Sequence, residues 1–311
     1  MSNVLRFHGD GTFKIIQLTD LHVSGEEDHP DDAKTLSLID QAIKEEKPDL
    51  IVYSGDLIWS EGVKNPEQSF RKVLDNGSKW NIPFAIIYGN HDTEETVTRD
   101  DLQKIQLEYS LALSEEGPKN INGVGNYTLT IKSSNSEKEE AIIYFFDSGA
   151  LAPETIGGYE WIHQNQVNWY ATESQKFAQA NKKKMPALAF FHIPIPEYNE
   201  VWQRGNVTGT KRENISSPQI NSGLFTSMLE NGDVMGTFAG HDHDNDFCGE
   251  LNDISLCFGR VTGYHCYGEL QRGVRIIRLH EGERRFDSWI RLDDGNVIFP
   301  YTNVRSDFNR S

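Results

Sequence analysis

Residues 13–22 read FKIIQLTDLH. Six residues of strand type, FKIIQL, run into a polar end that sets Asp20 and His22 where a strand would leave its sheet. The pattern returns twice within the next seventy residues. LIVYSGDL, residues 50–57, is a buried-strand run ending in Gly55 and Asp56, and FAIIYGNHD, residues 84–92, ends in Asn90, His91 and Asp92. Between these runs lie two segments of helical period, one from Asp31 with Leu36, Ile39 and Ile43 on one face, the other from Phe70 to Trp80. Strand, helix, strand, helix, strand is the order that a parallel sheet with helical cover requires, so the expected class is α/β.

The later chain continues the theme. A helix is predicted near Gln166–Ala180, with Val167, Tyr170 and Phe177 at helical spacing. The strands ALAFF and VMGTFA follow, ending in His192 and in His241 and His243. Shorter runs, ISLCFG, VRIIRL and FDSWIRL, suggest mixed or antiparallel pairing, and the polar stretch Lys132–Glu140 reads as a hairpin loop between YTLTI and AIIYFF. No repeat or linker divides the chain, and a single domain over residues 1–311 is expected.

Composition narrows the function classes. Of 311 residues, 37% are hydrophobic and 25% charged, an ordinary globular balance. A formal net charge of -17 disfavours a nucleic-acid scaffold or an anionic membrane surface as partner, yet leaves room for an anionic substrate at a locally cationic site. No run of about 18 apolar residues occurs, so no membrane span is expected. The N-terminus lacks the apolar stretch of a signal peptide, which suggests a cytoplasmic protein, or an exported one if a leader has been removed. Cys248, Cys257 and Cys266 cannot all pair within one chain, and buried thiols in a reducing compartment are the expectation.

Taken singly, each polar strand end is turn chemistry, because Asp, Asn and Gly favour turns. Five successive strands that deliver carboxylate, imidazole and amide groups to one edge call for a metal site instead, since α/β proteins keep their sites at strand C-termini. The blocks DLH, GDL, GNHD, FHIP and GHDH also resemble, in order and approximate spacing, those of the calcineurin-like metallophosphoesterases. YFFDSG, GYEWIHQNQVNWY, SPQINSGLF and GYHCYG extend the likeness to the small purple-acid-phosphatase-type proteins of plants, fungi and bacteria, over most of Phe13–Leu279.

The resemblance implies a four-layer αββα sandwich of two mixed β-sheets flanked by helices. It also implies two metal ions, with Asp20, His22 and His243 on one, Asn90, His192 and His241 on the other, and Asp56 bridging. Mixed nitrogen and oxygen donors suit Mn, Fe or Zn. His91 falls at the family's non-ligand catalytic histidine, with Asp92 expected to orient it. The implied reaction is hydrolysis of a small phosphate monoester by in-line attack of metal-bound hydroxide. A phosphodiesterase acting on nucleotide or glycerophospho-substrates and a non-catalytic binding scaffold are the alternatives. One departure bears on the metals: Trp59 stands three residues after Asp56, where the coloured purple acid phosphatases have Tyr, so a ferric-tyrosinate centre is not expected. Trp59, Trp161, Tyr198, Tyr264 and His265 are further candidates for pocket walls, with core or rim packing as the plainer role. Asp242, Asp244 and Asp246 are candidate acceptors for the imidazoles beside them. Oligomeric state is not legible.

Overall fold

A computed structural model describes residues 4–26 and 29–303. Along the chain run β1 (Thr12–Leu18), α1 (Pro30–Glu46), β2 (Leu50–Ser54), α2 (Pro66–Ser78), β3 (Phe84–Ile87) and α3 (Arg99–Gln106). Then come β4 (Tyr127–Lys132), β5 (Glu139–Phe145), α4 (Gln164–Asn181), β6 (Ala187–Phe190), α5 (Glu197–Arg204), β7 (Val207–Thr208) and α6 (Leu224–Asn231). The chain closes with β8 (Val234–Ala239), β9 (Cys248–Leu251), β10 (Ile254–Phe258), β11 (Gly273–His280), β12 (Phe286–Leu292) and β13 (Val297–Thr302).

Two mixed sheets result. The first has the order β13-β12-β11-β1-β2-β3, with β1, β2 and β3 parallel and the β11–β13 meander joined antiparallel to β1. The second has the order β4-β5-β6-β8-β10-β9-β7, with β5, β6, β8 and β10 parallel. Alternation along each strand divides its side chains between two buried layers. In β1, Ile15 enters the layer between the sheets, where Phe13, Val52 and Ile87 meet Ile143, Phe145, Phe190 and Phe238. Its neighbour Ile16 faces outward, under Ile39 of α1, Phe70 of α2 and Leu102 of α3. On the far side, Tyr170 of α4, Tyr198 of α5 and Met228 of α6 cover the second sheet. The four layers are therefore helix, sheet, sheet, helix, as the resemblance implied. Burial on both faces explains why the parallel strands read as unbroken apolar runs.

Helix positions follow local signals. Pro30 and Pro66 open α1 and α2 at the first helical turn, which carries acidic residues in both. Hence α2 starts four residues before the apolar period becomes visible. The eight-residue helices α3, α5 and α6 and the strands β7, β9 and β13 were not anticipated, being too short or too polar to show a period. No helix among the described residues is long and apolar enough to cross a membrane.

The cysteine expectation is corrected for two of the three. Cys248 of β9 and Cys257 of β10 lie opposite one another in antiparallel register and form a disulfide. A spacing of nine, which gave no pairing signal in the sequence, is what a short hairpin needs to bring them face to face.

Candidate metal centre

Each predicted site residue sits just past the C-terminal end of a parallel strand. Asp20 and His22 follow β1, Asp56 follows β2, Asn90 and His91 follow β3, His192 follows β6, and His241 and His243 follow β8. The chain turns sharply there to aim side chains back over the sheet edges. Asp20, His22, Asp56 and His241 all have positive φ, between 50° and 78°. That conformation costs a non-glycine residue of order 1 kcal/mol and persists where the surroundings over-determine it. The motif glycines allow close approach: a Cβ on Gly55 would run into the His192 ring, and one on Gly89 into the Asp56 carboxylate.

Six of the predicted ligands, Asp20, His22, Asp56, His192, His241 and His243, converge, and none of these or Asn90 is more than 8% exposed. Asp20, His22 and Asp56 offer donor atoms within 4.8 Å of one another, and so do Asp56, His192 and His241. Asp56 belongs to both groups. Its Oδ2 lies 3.1 Å from His192 Nε2 and 3.7 Å from His22 Nε2, while Asp20 Oδ1 lies 3.5 Å from His243 Nε2. Outer contacts set the imidazoles. His192 donates from Nδ1 to the Ser54 carbonyl at 2.9 Å, and His243 from Nδ1 to the Tyr267 carbonyl at 3.0 Å, leaving each Nε2 to face the centre. Asn90 Oδ1 and His241 Nε2 are buried without any hydrogen-bond partner. Buried acceptors without partners, one of them beside the Asp56 carboxylate, fit bound cations.

The protein's own charges agree. Burial pushes the imidazolium forms of His22 and His241 down to about 3, so both rings are neutral with a free lone pair at neutral pH. Burial also works against His192 and His243, but carboxylates outweigh it, chiefly Asp56 for His192, which is held up to about 9, and Asp20 for His243. For Asp56 burial is opposed by His192 and His22, and the carboxylate stays well below its ordinary range. Two imidazolium charges thus balance two carboxylates, and each would give up its proton to a metal.

His91 differs from the ligands. Its side chain is 32% exposed, its Nδ1 lies 2.6 Å from Glu94 Oε1, and its backbone N–H donates to Asp56 Oδ1 at 2.8 Å. The expectation that Asp92 orients this ring is corrected. The Asp92 carboxylate is fully buried and accepts backbone N–H bonds from Asp56, Leu57, Ile58 and Gly89 at 2.7–3.1 Å, which ties the β2 and β3 loops together. Glu94 does the orienting. It lies one turn beyond GNHD and was missed, with no signal in the sequence beyond its nearness.

Trp59 does line the centre, with its ring 4.1 Å from His22 and 4.6 Å from His91. Tyr159 packs edge-on against His241 at 4.3 Å, and the exposed Tyr267 stacks on His243 at 4.0 Å. Both tyrosines lie in the GYEWIHQNQVNWY and GYHCYG blocks, but nothing in the sequence marks them as neighbours of the imidazoles. Tyr198, by contrast, is a core residue bonded to Thr237 and the Cys257 carbonyl. Asp242, Asp244 and Asp246 are also corrected: their hydrogen bonds go to Ser216, to Glu269 and Leu270, and to Thr210 and Arg260, not to imidazoles.

Comparison with known proteins bears on this geometry. The family model for calcineurin-like phosphoesterase matches residues 13–245. "Probable inactive purple acid phosphatase 14" of Arabidopsis thaliana is 34% identical, over 94% of this chain and 83% of its own length. "Phosphatase DCR2" of Saccharomyces cerevisiae is 33% identical over 95% of this chain, which spans only 56% of that protein. Among solved structures, a dimetal phosphatase from Danio rerio superimposes with a TM-score of 0.66 at 12% identity, covering 94% of this chain and 99% of its own, a likeness of fold.

Proposed function

Because this chain belongs to the calcineurin-like phosphoesterase family, a family of hydrolases, we propose that it hydrolyses small phosphate monoesters at a dinuclear metal centre. One observation carries the reading: the Asp56 carboxylate belongs to two donor groups, one with Asp20 and His22, the other with His192 and His241. Asp20, His22 and His243 hold one ion in this reading, Asn90, His192 and His241 the other, and Asp56 spans both. The donors suit Mn, Fe or Zn. Such ions supply Lewis acidity toward water and phosphoryl oxygens.

The chain's own residues do the rest. With Nδ1 on Glu94, His91 keeps Nε2 for the substrate, and its exposure lets it reach one. A proton held at Nε2 goes to the departing ester oxygen as the P–O bond breaks. Trp59 closes the side of the centre next to His91 and limits water there. No residue is required to form a covalent phosphoenzyme. The Cys248–Cys257 disulfide supports an exported protein over a cytoplasmic one, since such bonds persist in oxidising compartments.

Side-by-side turnover of p-nitrophenyl phosphate and its bis ester tests the bond type: faster monoester cleavage is expected, and the reverse order would establish the diesterase. His91→Ala should lower kcat by about 10²–10⁴-fold while metal content is unchanged. Full activity in that variant removes His91 from the chemistry. The word "inactive" in the names of relatives favours a second reading, a binding scaffold on the same fold. Against it stand the clustered carboxylate and imidazole donors with a partly exposed His91, and a metal-loaded protein inert toward a phospho-substrate panel would decide for the scaffold.

A further inference from the structure

Cys266 is the one cysteine of three outside the disulfide. It lies in the loop after β10, and its Sγ is within 4.8 Å of a ring nitrogen of both His22 and His243. Those imidazoles point to a ligand independently. Their Nε2 atoms meet at 3.2 Å with both rings buried, and the same His22 Nε2 lies 3.7 Å from Asp56 Oδ2. Two ring nitrogens bound to one ion at about 2.0–2.1 Å stand roughly 3 Å apart, so the pair converges on a shared point.

The sulfur is weakly engaged by protein. It lies 3.3 Å from the Gly263 carbonyl, 3.9 Å from the Asp20 carbonyl and 3.9 Å from Arg272 Nη2. Arg272 is itself held by a 2.6 Å bond from Nε to the Gly263 carbonyl, which fixes a positive charge beside the sulfur. Donors about 2.1 and 2.3 Å from one ion are at most about 4.4 Å apart. At tetrahedral angles the same two donors stand about 3.6 Å apart, so a sulfur within 4.8 Å of both imidazoles joins them by a shift of up to about 1 Å, within reach of a side-chain adjustment.

We propose that Cys266 is a thiolate ligand of the ion held by Asp20, His22 and His243. The inference rests on the dinuclear reading of the centre. On binding, an S–metal bond forms as the S–H bond breaks, the proton passes to solvent, and no electron is transferred. The consequence is an asymmetric centre. Nitrogen and oxygen donors already favour Zn and Fe(II) over Mn, and a soft thiolate widens that preference at this position. The position built on Asn90, His192 and His241 has no sulfur and keeps the weaker preference.

The test loads the full chain with Co(II) as a spectroscopic probe. Wild type should show a near-ultraviolet sulfur-to-cobalt charge-transfer band that Cys266→Ser and Cys266→Ala lose while still binding cobalt. In the same variants the ratio of Zn to Mn affinity should fall by about tenfold or more. A cobalt-loaded wild type without a sulfur band, or an unchanged Zn/Mn ratio in the variants, overturns the thiolate ligand and leaves the centre standing. Failure of wild type to bind any cobalt overturns the centre and this inference together. A measurement on wild type alone guards against misfolded variants: Zn should protect Cys266 from iodoacetamide, and equal alkylation with and without Zn refutes the bond.

Discussion

Glu94 shows how much a single residue adds to His91. Its Oε1 holds His91 Nδ1 at 2.6 Å, its Oε2 accepts from the Glu61 backbone N–H at 3.1 Å, and its own N–H donates to Ser60 Oγ at 2.7 Å. A carboxylate braced this way fixes both the ring's orientation and which nitrogen faces the substrate. Glu94→Gln should therefore lower kcat by about tenfold or more with KM little changed. Steady-state kinetics on a monoester checks the split, and a change confined to KM would count against positioning. At this scale the ligand types were legible, because Asp, His and Asn past a strand have few other reasons to recur five times. The partners of those ligands were not. Asp92 and the acidic residues of GHDHDND are the nearest carboxylates in sequence, but their side chains point to backbone N–H groups and to Arg260.

Among the elements, the parallel strands were readable because both faces are buried, and the β11–β13 meander less so because one strand lies at an edge. Its pairing can be tested by pH. Arg278 of β11 stands opposite Asp287 of β12 and donates to it at 2.7 Å, as His280 does at 2.8 Å. Burial works against ionised Asp287, but the hydrogen bonds from Arg278, His280 and Thr302 win and hold it near 2, below its ordinary 3.8. A depressed carboxylate stabilises the fold above its unfolded value, and that stability is lost as pH falls through the folded one. Asp287→Asn should thus be destabilised by up to about 1 kcal/mol at neutral pH, a figure kept small by solvent screening. The gap from wild type should close between about pH 4 and pH 2. Urea midpoints across that range decide it, and a gap independent of pH would mean that the carboxylate's charge is not responsible.

For the whole molecule, the two sheets meet at the centre, so a cation there joins strand ends from both. Bound metal should stabilise the native chain by about 2.7 kcal/mol at free metal 100-fold above Kd. Chelation should then lower Tm by roughly 5 °C and abolish turnover, and both should return with added metal. Differential scanning calorimetry provides the check, and an unchanged Tm after verified metal removal would argue against a centre that links the sheets.

The order of strand, turn and ligand was determined by sequence alone, because alternation, helical period and turn chemistry act within a few residues. So were the α/β class and the residue types at the strand ends. Contacts between distant segments were decided only in the tertiary structure. Asp56 faces His22 across one loop and His192 across the other sheet, Glu94 takes the place expected of Asp92, and Cys248 finds Cys257 across a hairpin. Those outcomes depend on which backbone N–H groups and ring nitrogens arrive beside each side chain, and that is set by packing two sheets face to face.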